Sequence, residues 1–305
     1  MFTLSTPLLL TQRENIRSVF TTQEDGSPVL HGAFTDCVAA NSFPPAVDET
    51  QLKNLVSQVL NLYRPTYEFN NSMKRPMFSL VARIPFNSET NQYDISQVTD
   101  DANNVKDTII GCDVYNGTNI LAATVLRWPD VVDQCPDGRV QWPIRSQART
   151  WAEAYRQNTR SFNEGTAVHA EYRTLQNLHT WLNNHNIGQD LLLIYVYASP
   201  CAKRCTNRDN KGNILKLLTD YVEFNIVFVF SKVFKPRNTI IPPEDLQDAL
   251  RNLGGTIGLQ RIFRCDEVNG RMKCVNCSNN TGNITGWCYD DNQQPGKKRQ
   301  GGTTS

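Results

Sequence analysis

The run Leu191-Leu192-Leu193-Ile194-Tyr195-Val196-Tyr197 constrains the fold more than any other feature of the chain. It is far shorter than the ~20 residues of a membrane span and too apolar for a strand with one wet face. A run of this kind reads as a strand buried on both sides of a sheet, with helices above and below it. The flanking sequence supplies those helices. Leu175, Leu178 and Leu182 recur at helical spacing before it, in a helix expected to stop near Gly188. Ile214, Leu217, Leu218, Tyr221 and Val222 do the same after it, and a second apolar run, Ile226 to Phe230, follows. Pro242 and Pro243 then open a helix through Leu246, Ala249, Leu250 and Leu253, which Gly254 is expected to end. Ile257 to Phe263 is the last expected strand. Strands joined by helices in this way pair in parallel.

Upstream, Asp48 reads as an N-cap answered by Gln51 in a capping box, and Leu52, Leu55, Val56, Val59 and Leu62 predict a helix over 49–62. Phe78, Leu80, Ala82 and Ile84 alternate along a strand, and Ile120 to Leu126 predicts a central one. Residues 129–165 carry Trp142, Trp151 and several arginines without a clean period. The expected organisation is an irregular N-terminal extension over 1–48, an α/β domain over 49–264, and a Cys- and Asn-rich tail over 265–305. Roughly the last fifteen residues are polar enough to be disordered.

Two short segments carry chemistry. His169-Ala170-Glu171 opens a helix, and Ser199-Pro200-Cys201-Ala202-Lys203-Arg204-Cys205 follows the 191–197 strand. Zinc takes nitrogen and thiolate ligands, and three protein ligands leave a position for water. His169, Cys201 and Cys205 supply those three. Two cysteines four apart near a helix start face one ion, and a helix N-terminus favours their thiolate form. Glu171, two residues past the histidine, reaches a water on the metal without being a ligand, as a proton carrier requires. A lone His-x-Glu is commonly an ordinary helix start, and a lone Cys pair commonly a disulfide. Both segments together, each after its expected element, make a specific signal.

These residues match the H-x-E and P-C-x-x-C signature of zinc nucleobase deaminases, with one more residue between the cysteines. The resemblance covers roughly 49–264. It implies a cytidine-deaminase-like three-layer α/β/α sandwich on a five-stranded mixed sheet. The helix over 243–253 lies between the last two strands and makes them parallel, as in the polynucleotide-acting branch that includes the AID/APOBEC proteins. Ser199-Pro200-Cys201 resembles the S-W-S-P-C motif of those proteins, with Ala198 standing where they have Trp, beside Tyr197. Ser231-Lys232-Val233-Phe234-Lys235 replaces their acidic-aromatic loop. Among relatives, the chain resembles the vertebrate secreted AID/APOBEC-like deaminases. The resemblance implies zinc-dependent deamination of cytosine in single-stranded DNA or RNA, with Glu171 catalytic and Ala170, Tyr197 and Ser199 against the base. A free cytidine or nucleoside deaminase and a catalytically silent zinc-binding secreted protein are the competing readings.

A polynucleotide partner needs positive charge, yet the formal net charge is only +1. Local clusters would have to supply it: the lysines of 231–235, or Lys203, Arg204, Arg208, Lys211 and Lys216. A solvated surface is the competing account of both groups, and the better one for the second. His31, His179 and His185 have no ligand-type neighbours in sequence and read as ordinary residues.

Nine cysteines are present, so with two as ligands one of the remaining seven stays unpaired. In the tail, Cys265, Cys274, Cys277 and Cys288 are expected to form two disulfides; a zinc site built on the Cys274-x-x-Cys277 pair is the alternative. Sequons occur at Asn70, Asn116, Asn276, Asn279 and Asn283. Their number is near chance, but the cluster at 276–283 suits an exposed, extracellular tail. No secretory leader is expected in Met1–Leu10, whose apolar Pro7–Leu10 stretch lacks a basic start. The chain is read as secreted, with a cytoplasmic location as the alternative and no membrane span.

Overall fold

The structure is a computed structural model; it describes residues 47–141, 148–157, 163–185, 187–236, 239–279 and 281–294. The expected extension up to residue 46, Trp142 and the last residues of the tail lie outside these ranges.

At the centre is a mixed sheet of seven strands, two more than expected. In chain order they are β1 (Phe78–Ile84), β2 (Tyr115–Asn116), β3 (Ile120–Thr124), β4 (Leu191–Ala198), β5 (Ile226–Lys232), β6 (Ile262–Val268) and β7 (Arg271–Asn276). Their order across the sheet is β7-β6-β5-β4-β1-β3-β2. β4 pairs with β5 in parallel, with Ile194 opposite Phe228, and β5 pairs with β6 in parallel, with Val229 opposite Phe263. All other neighbours are antiparallel.

Eight α-helices occur among the described residues: α1 (Glu49–Tyr63), α2 (Ala102–Ile110), α3 (Asp130–Gln134), α4 (Trp151–Arg156), α5 (Ala170–Leu175), α6 (Leu178–Asn183), α7 (Leu215–Thr219) and α8 (Pro243–Ile257). The alternation of β4 divides six of them into two layers, while α3 and α4 pack in a separate cluster around Val131 and Trp151. Leu191, Leu193 and Tyr195 pack with α1 and α2 on one face, through Leu52, Val56, Val59, Val105 and Ile109. Leu192, Ile194 and Val196 pack with α5 to α8 on the other, through Leu175, Trp181, Leu218, Leu250 and Leu253. Burying each such large side chain contributes roughly 1.5–3 kcal/mol. A strand apolar on both faces is thus the middle layer of a sandwich, as its sequence required.

Several boundaries differ from expectation for identifiable reasons. Asp48 caps α1 by accepting from the Gln51 amide at 2.7 Å. The helix expected to continue past Leu175 breaks at Gln176-Asn177, where the Asn177 side-chain amide donates to the Arg173 carbonyl at 2.8 Å. An asparagine that bonds its own backbone competes with the helix in this way. α8 runs through Gly254 and ends at Gly258, whose φ of +91° suits glycine. Gly254 instead admits a neighbour: a Cβ there would lie 3.1 Å from that of Leu259. Ile257 therefore closes a helix, and the last parallel strand begins only at Ile262.

That strand continues to Val268 and turns through Asn269 and Gly270, with φ of +52° and +72°, into the unexpected β7. An Asn-Gly pair is a strong hairpin signal. Cys265 and Cys274 sit directly opposite each other across the hairpin and form a disulfide. Cys277–Cys288 and Cys112–Cys135 are also bonded. Cys274 and Cys277 thus belong to different disulfides, which removes the four-cysteine zinc site. Among the described residues the only free cysteines are Cys201 and Cys205. No helix among them is long and apolar enough to cross a membrane.

Candidate metal centre and cleft

The parallel strands place the candidate residues at one end of the sheet. β4 ends at Ala198 and runs into Ser199 and Cys201, while β5 ends at Lys232 and runs into Phe234. Loops beyond the carboxyl ends of parallel strands are the usual place for ligands in open α/β sheets. β1 begins at this end with Phe78, because it is antiparallel to β4.

His169 is delivered from the opposite side. Ala167–Val168 pairs with Leu126–Arg127 in a short antiparallel ladder beyond β3, and His169 follows as the N-cap residue of α5. Arg173 anchors that helix. Its side chain, 2% exposed, donates to the Thr124 carbonyl at 2.5 Å, the Cys112 carbonyl at 2.6 Å and Gln141 Oε1 at 3.0 Å. Burial lowers its pKa to about 10, which leaves it charged at neutral pH. Spacing gave no cue to this residue, since the Leu175, Leu178 and Leu182 stripe leaves Arg173 on the opposite side of the expected helix.

The three expected ligands converge. His169 Nδ1 lies 3.0 Å from Cys205 Sγ and 4.0 Å from Cys201 Sγ, and the two sulfurs are 3.3 Å apart. Bond lengths to zinc of ~2.3 Å for sulfur and ~2.0 Å for nitrogen put the ligands of one tetrahedral ion about 3.5–3.8 Å apart. The donor set and its spacing therefore fit a zinc ion with three protein ligands, the number found in catalytic sites. Among the described residues this is the one group of three or more His, Cys, Asp or Glu side chains placed to hold a metal.

The cysteines do not sit at a helix start as expected. They lie in a tight turn closed by the Thr206 amide on the Cys201 carbonyl at 3.1 Å, and α7 begins only at Leu215. A backbone N–H still reaches a sulfur, because the Cys205 amide donates to Cys201 Sγ at 3.5 Å.

Glu171 is buried beside the triad, with Oε1 accepting from Cys205 Sγ at 2.9 Å and 3.4 Å from His169 Nδ1. Proton affinities in the cluster are displaced in linked directions. Burial disfavours charge on His169, but the Cys201 sulfur and Glu171 carboxylate outweigh it and raise its pKa to about 10. The thiol of Cys205 pulls Cys201 down to about 4, against burial and with help from His169. Cys205 is pushed well up by the Cys201 sulfur, by burial and by the charge of Glu171. Burial raises Glu171, yet its bond to His169 and the charge there hold it below its ordinary value. Without a metal the cluster is stabilised by shared protons, which metal binding would release.

A cleft of about 570 Å³ opens above this cluster. His169, Ala170, Glu171, Tyr197 and Ser199 all line it, so every expected site residue outside the two buried cysteines reaches one space. The Ser199 amide is taken by the Lys232 carbonyl at 2.8 Å, and its hydroxyl accepts from the Phe234 amide at 3.0 Å. Phe234 also lines the cleft, its ring centroid 6.4 Å from that of His169. Tail residue Asp291 forms part of the wall, which sequence reasoning missed because nothing in residues 265–294 announced a return to the site.

The lysines of 231–235 are not free cations. Lys232 Nζ lies 2.7 Å from Asp266 and Lys235 Nζ 2.5 Å from Asp291. Arg127, the remaining described Lys or Arg of the lining, lies 3.7 Å from Asp130. Arg204 of the second basic group donates to the Ala167 carbonyl at 3.1 Å and so braces the ladder beneath His169. The sequon residue Asn276 donates its side-chain amide to the Gln260 carbonyl at 2.8 Å, within the fold.

No curated protein and no solved structure matches the chain. Residues 148–292 match the family model described as Secreted Novel AID/APOBEC-like Deaminase 1. The matched span holds His169, Glu171, Cys201 and Cys205 together with both C-terminal disulfides. Over residues 148–292, the chain is similar to the AID/APOBEC-like secreted deaminases.

Proposed function

We propose that the chain is a zinc-dependent hydrolase that converts cytosine to uracil in a single-stranded polynucleotide, releasing ammonia. The observation that carries this reading is the meeting of His169, Cys201 and Cys205 with a buried Glu171 at the floor of one cleft. A structural zinc site has no use for an adjacent buried carboxylate, whereas hydrolytic deamination needs one.

His169, Cys201 and Cys205 would hold the ion, which when bound supplies Lewis-acid activation of water near neutral pH. Glu171 is the proton carrier. It accepts the proton shed by water at C4 attack, delivers it to N3 of the ring, and assists departure of the amine as ammonia. Ala170, Tyr197 and Ser199 form the walls against the base, and Phe234 stands where an aromatic face can stack on it. Arg173 keeps α5, and with it Glu171, fixed on the sheet.

The polynucleotide assignment rests on α8 between the parallel β5 and β6, an arrangement similar to the polynucleotide-acting branch. One observation favours the free-nucleoside reading instead: Arg127, Lys232 and Lys235 of the cleft lining each have a carboxylate within 4 Å. The three disulfides suit an oxidising, extracellular location.

The deciding experiment measures ammonia release and base change on cytosine-bearing single-stranded DNA and RNA and on free cytidine, with zinc quantified on the same samples. Polynucleotide deamination that falls at least ~100-fold in Glu171→Gln, with zinc content unchanged, is the expected result. Activity on cytidine alone would transfer the assignment to a nucleoside deaminase. A zinc-loaded chain that deaminates none of the three would remove the enzymatic reading.

A further inference from the structure

The C-terminal segment folds back onto the site. After β7, the Cys277–Cys288 disulfide closes a loop and brings Trp287 and Asp291 beside β6. Arg264 of β6, 2% exposed, fixes that segment. Its guanidinium lies 4.5 Å over the Trp287 ring, donates to the Trp287 and Ser231 carbonyls at 2.5 and 3.0 Å, and meets Asp291 Oδ1 at 2.6 Å. The second carboxylate oxygen of Asp291 points the other way, to Lys235 Nζ at 2.5 Å in the wall of the cleft. Asp291 is therefore shared between a buried cation that holds it in place and an exposed cation at the substrate entrance.

Building on the polynucleotide reading, we infer that Asp291 is a specificity-determining residue of the cleft, which sets substrate affinity by occupying Lys235 in place of a strand phosphate. The Lys235 side chain is 69% exposed, so it is reachable by a phosphate. Asp291 cannot swing away to release it at no cost, because Arg264 would lose its closest carboxylate: Asp266 stands 3.7 Å from that guanidinium, against 2.6 Å for Asp291. The tail thus places a fixed negative charge at an entrance whose other described cations, Arg127 and Lys232, are also paired. A strand must compete with Asp291 for Lys235, and a nucleoside without phosphate does not.

The test is a charge cycle on the full, zinc-loaded chain, reading the affinity of a short cytosine-containing DNA strand across a salt series for wild type, Asp291→Asn, Lys235→Gln and the double variant. Asp291→Asn frees Lys235 and is expected to tighten binding about threefold to tenfold at low salt, with the log–log salt slope steeper by roughly 0.7, the value of one added phosphate contact on a single strand. Lys235→Gln leaves Asp291 facing the strand alone and weakens binding. The double variant, with the same net charge as wild type, returns close to it. A purely structural clamp predicts that both single variants weaken binding, and that result overturns the inference, as does an unchanged affinity in both. Should Asp291→Asn loosen the tail, seen as a lowered melting temperature, Lys235→Gln and the double variant still decide, because shielding requires the second change to reverse the effect of the first. Deamination by wild type with a flat cycle rejects this inference alone. A cycle of the expected signs in a chain that deaminates nothing rejects the functional reading alone.

Discussion

Arg173 and Asp291 show how single charged residues act here through what they hold. Arg173 satisfies carbonyls on two separate segments, at Thr124 and Cys112, from inside the protein. Replacing it with Met keeps the volume but strands those acceptors, and a stability loss of roughly 2–5 kcal/mol is expected from the urea midpoint. Zinc affinity should fall with it, since α5 carries both His169 and Glu171. Asp291 gives a pH signature instead. Burial works against its ionisation, but Lys235 and Arg264 prevail and hold its pKa below the ordinary value. A depressed carboxylate stabilises the fold at pH values above its unfolded pKa of ~4, and that contribution is lost as pH falls through the folded value. Melting temperatures of wild type and Asp291→Asn should therefore differ at neutral pH and converge in acid.

At the scale of elements, the legible parts were those whose signal is local. The β4 run needed no context, because seven apolar residues flanked by helical periods admit few environments. The meeting of His169, Glu171, Cys201 and Cys205 in one cluster was legible because metal chemistry restricts residue type and order so tightly. The losses came where one residue type serves two physical ends. Gly254 looked like a helix terminator but admits Leu259, while the real terminator, Gly258, lay four residues on. Gly258→Ala, at φ +91°, is accordingly expected to cost about 1–3 kcal/mol by chemical denaturation. The β6–β7 hairpin was hidden by composition. Its Asn269-Gly270 turn was present in the sequence, yet the surrounding cysteines and asparagines read as a tail. Asp291 was not legible, since long-range return of a segment leaves no local pattern.

For the whole molecule, covalent bonds do for the C-terminal region what a larger core would do elsewhere. Cys277–Cys288 closes a loop of 11 residues, for which chain entropy gives a stabilisation of about 3 kcal/mol. The double variant Cys277→Ser/Cys288→Ser is expected to lose that amount in a denaturant titration and, because Asp291 follows directly, to bind a nucleic acid strand more tightly than wild type. The same oxidising chemistry poses a problem at the metal centre. Six described cysteines are bonded while Cys201 and Cys205 remain thiols with sulfurs 3.3 Å apart, little more than 1 Å beyond the ~2.0 Å of a disulfide. Oxidative refolding is thus a race between a metal and an oxidant for one pair of sulfurs. Refolding with zinc present should yield a chain with both thiols recoverable by alkylation after chelation, and refolding with zinc withheld should yield a chain in which neither is. The ion would then be a folding chaperone for its own site, required before the protein is finished.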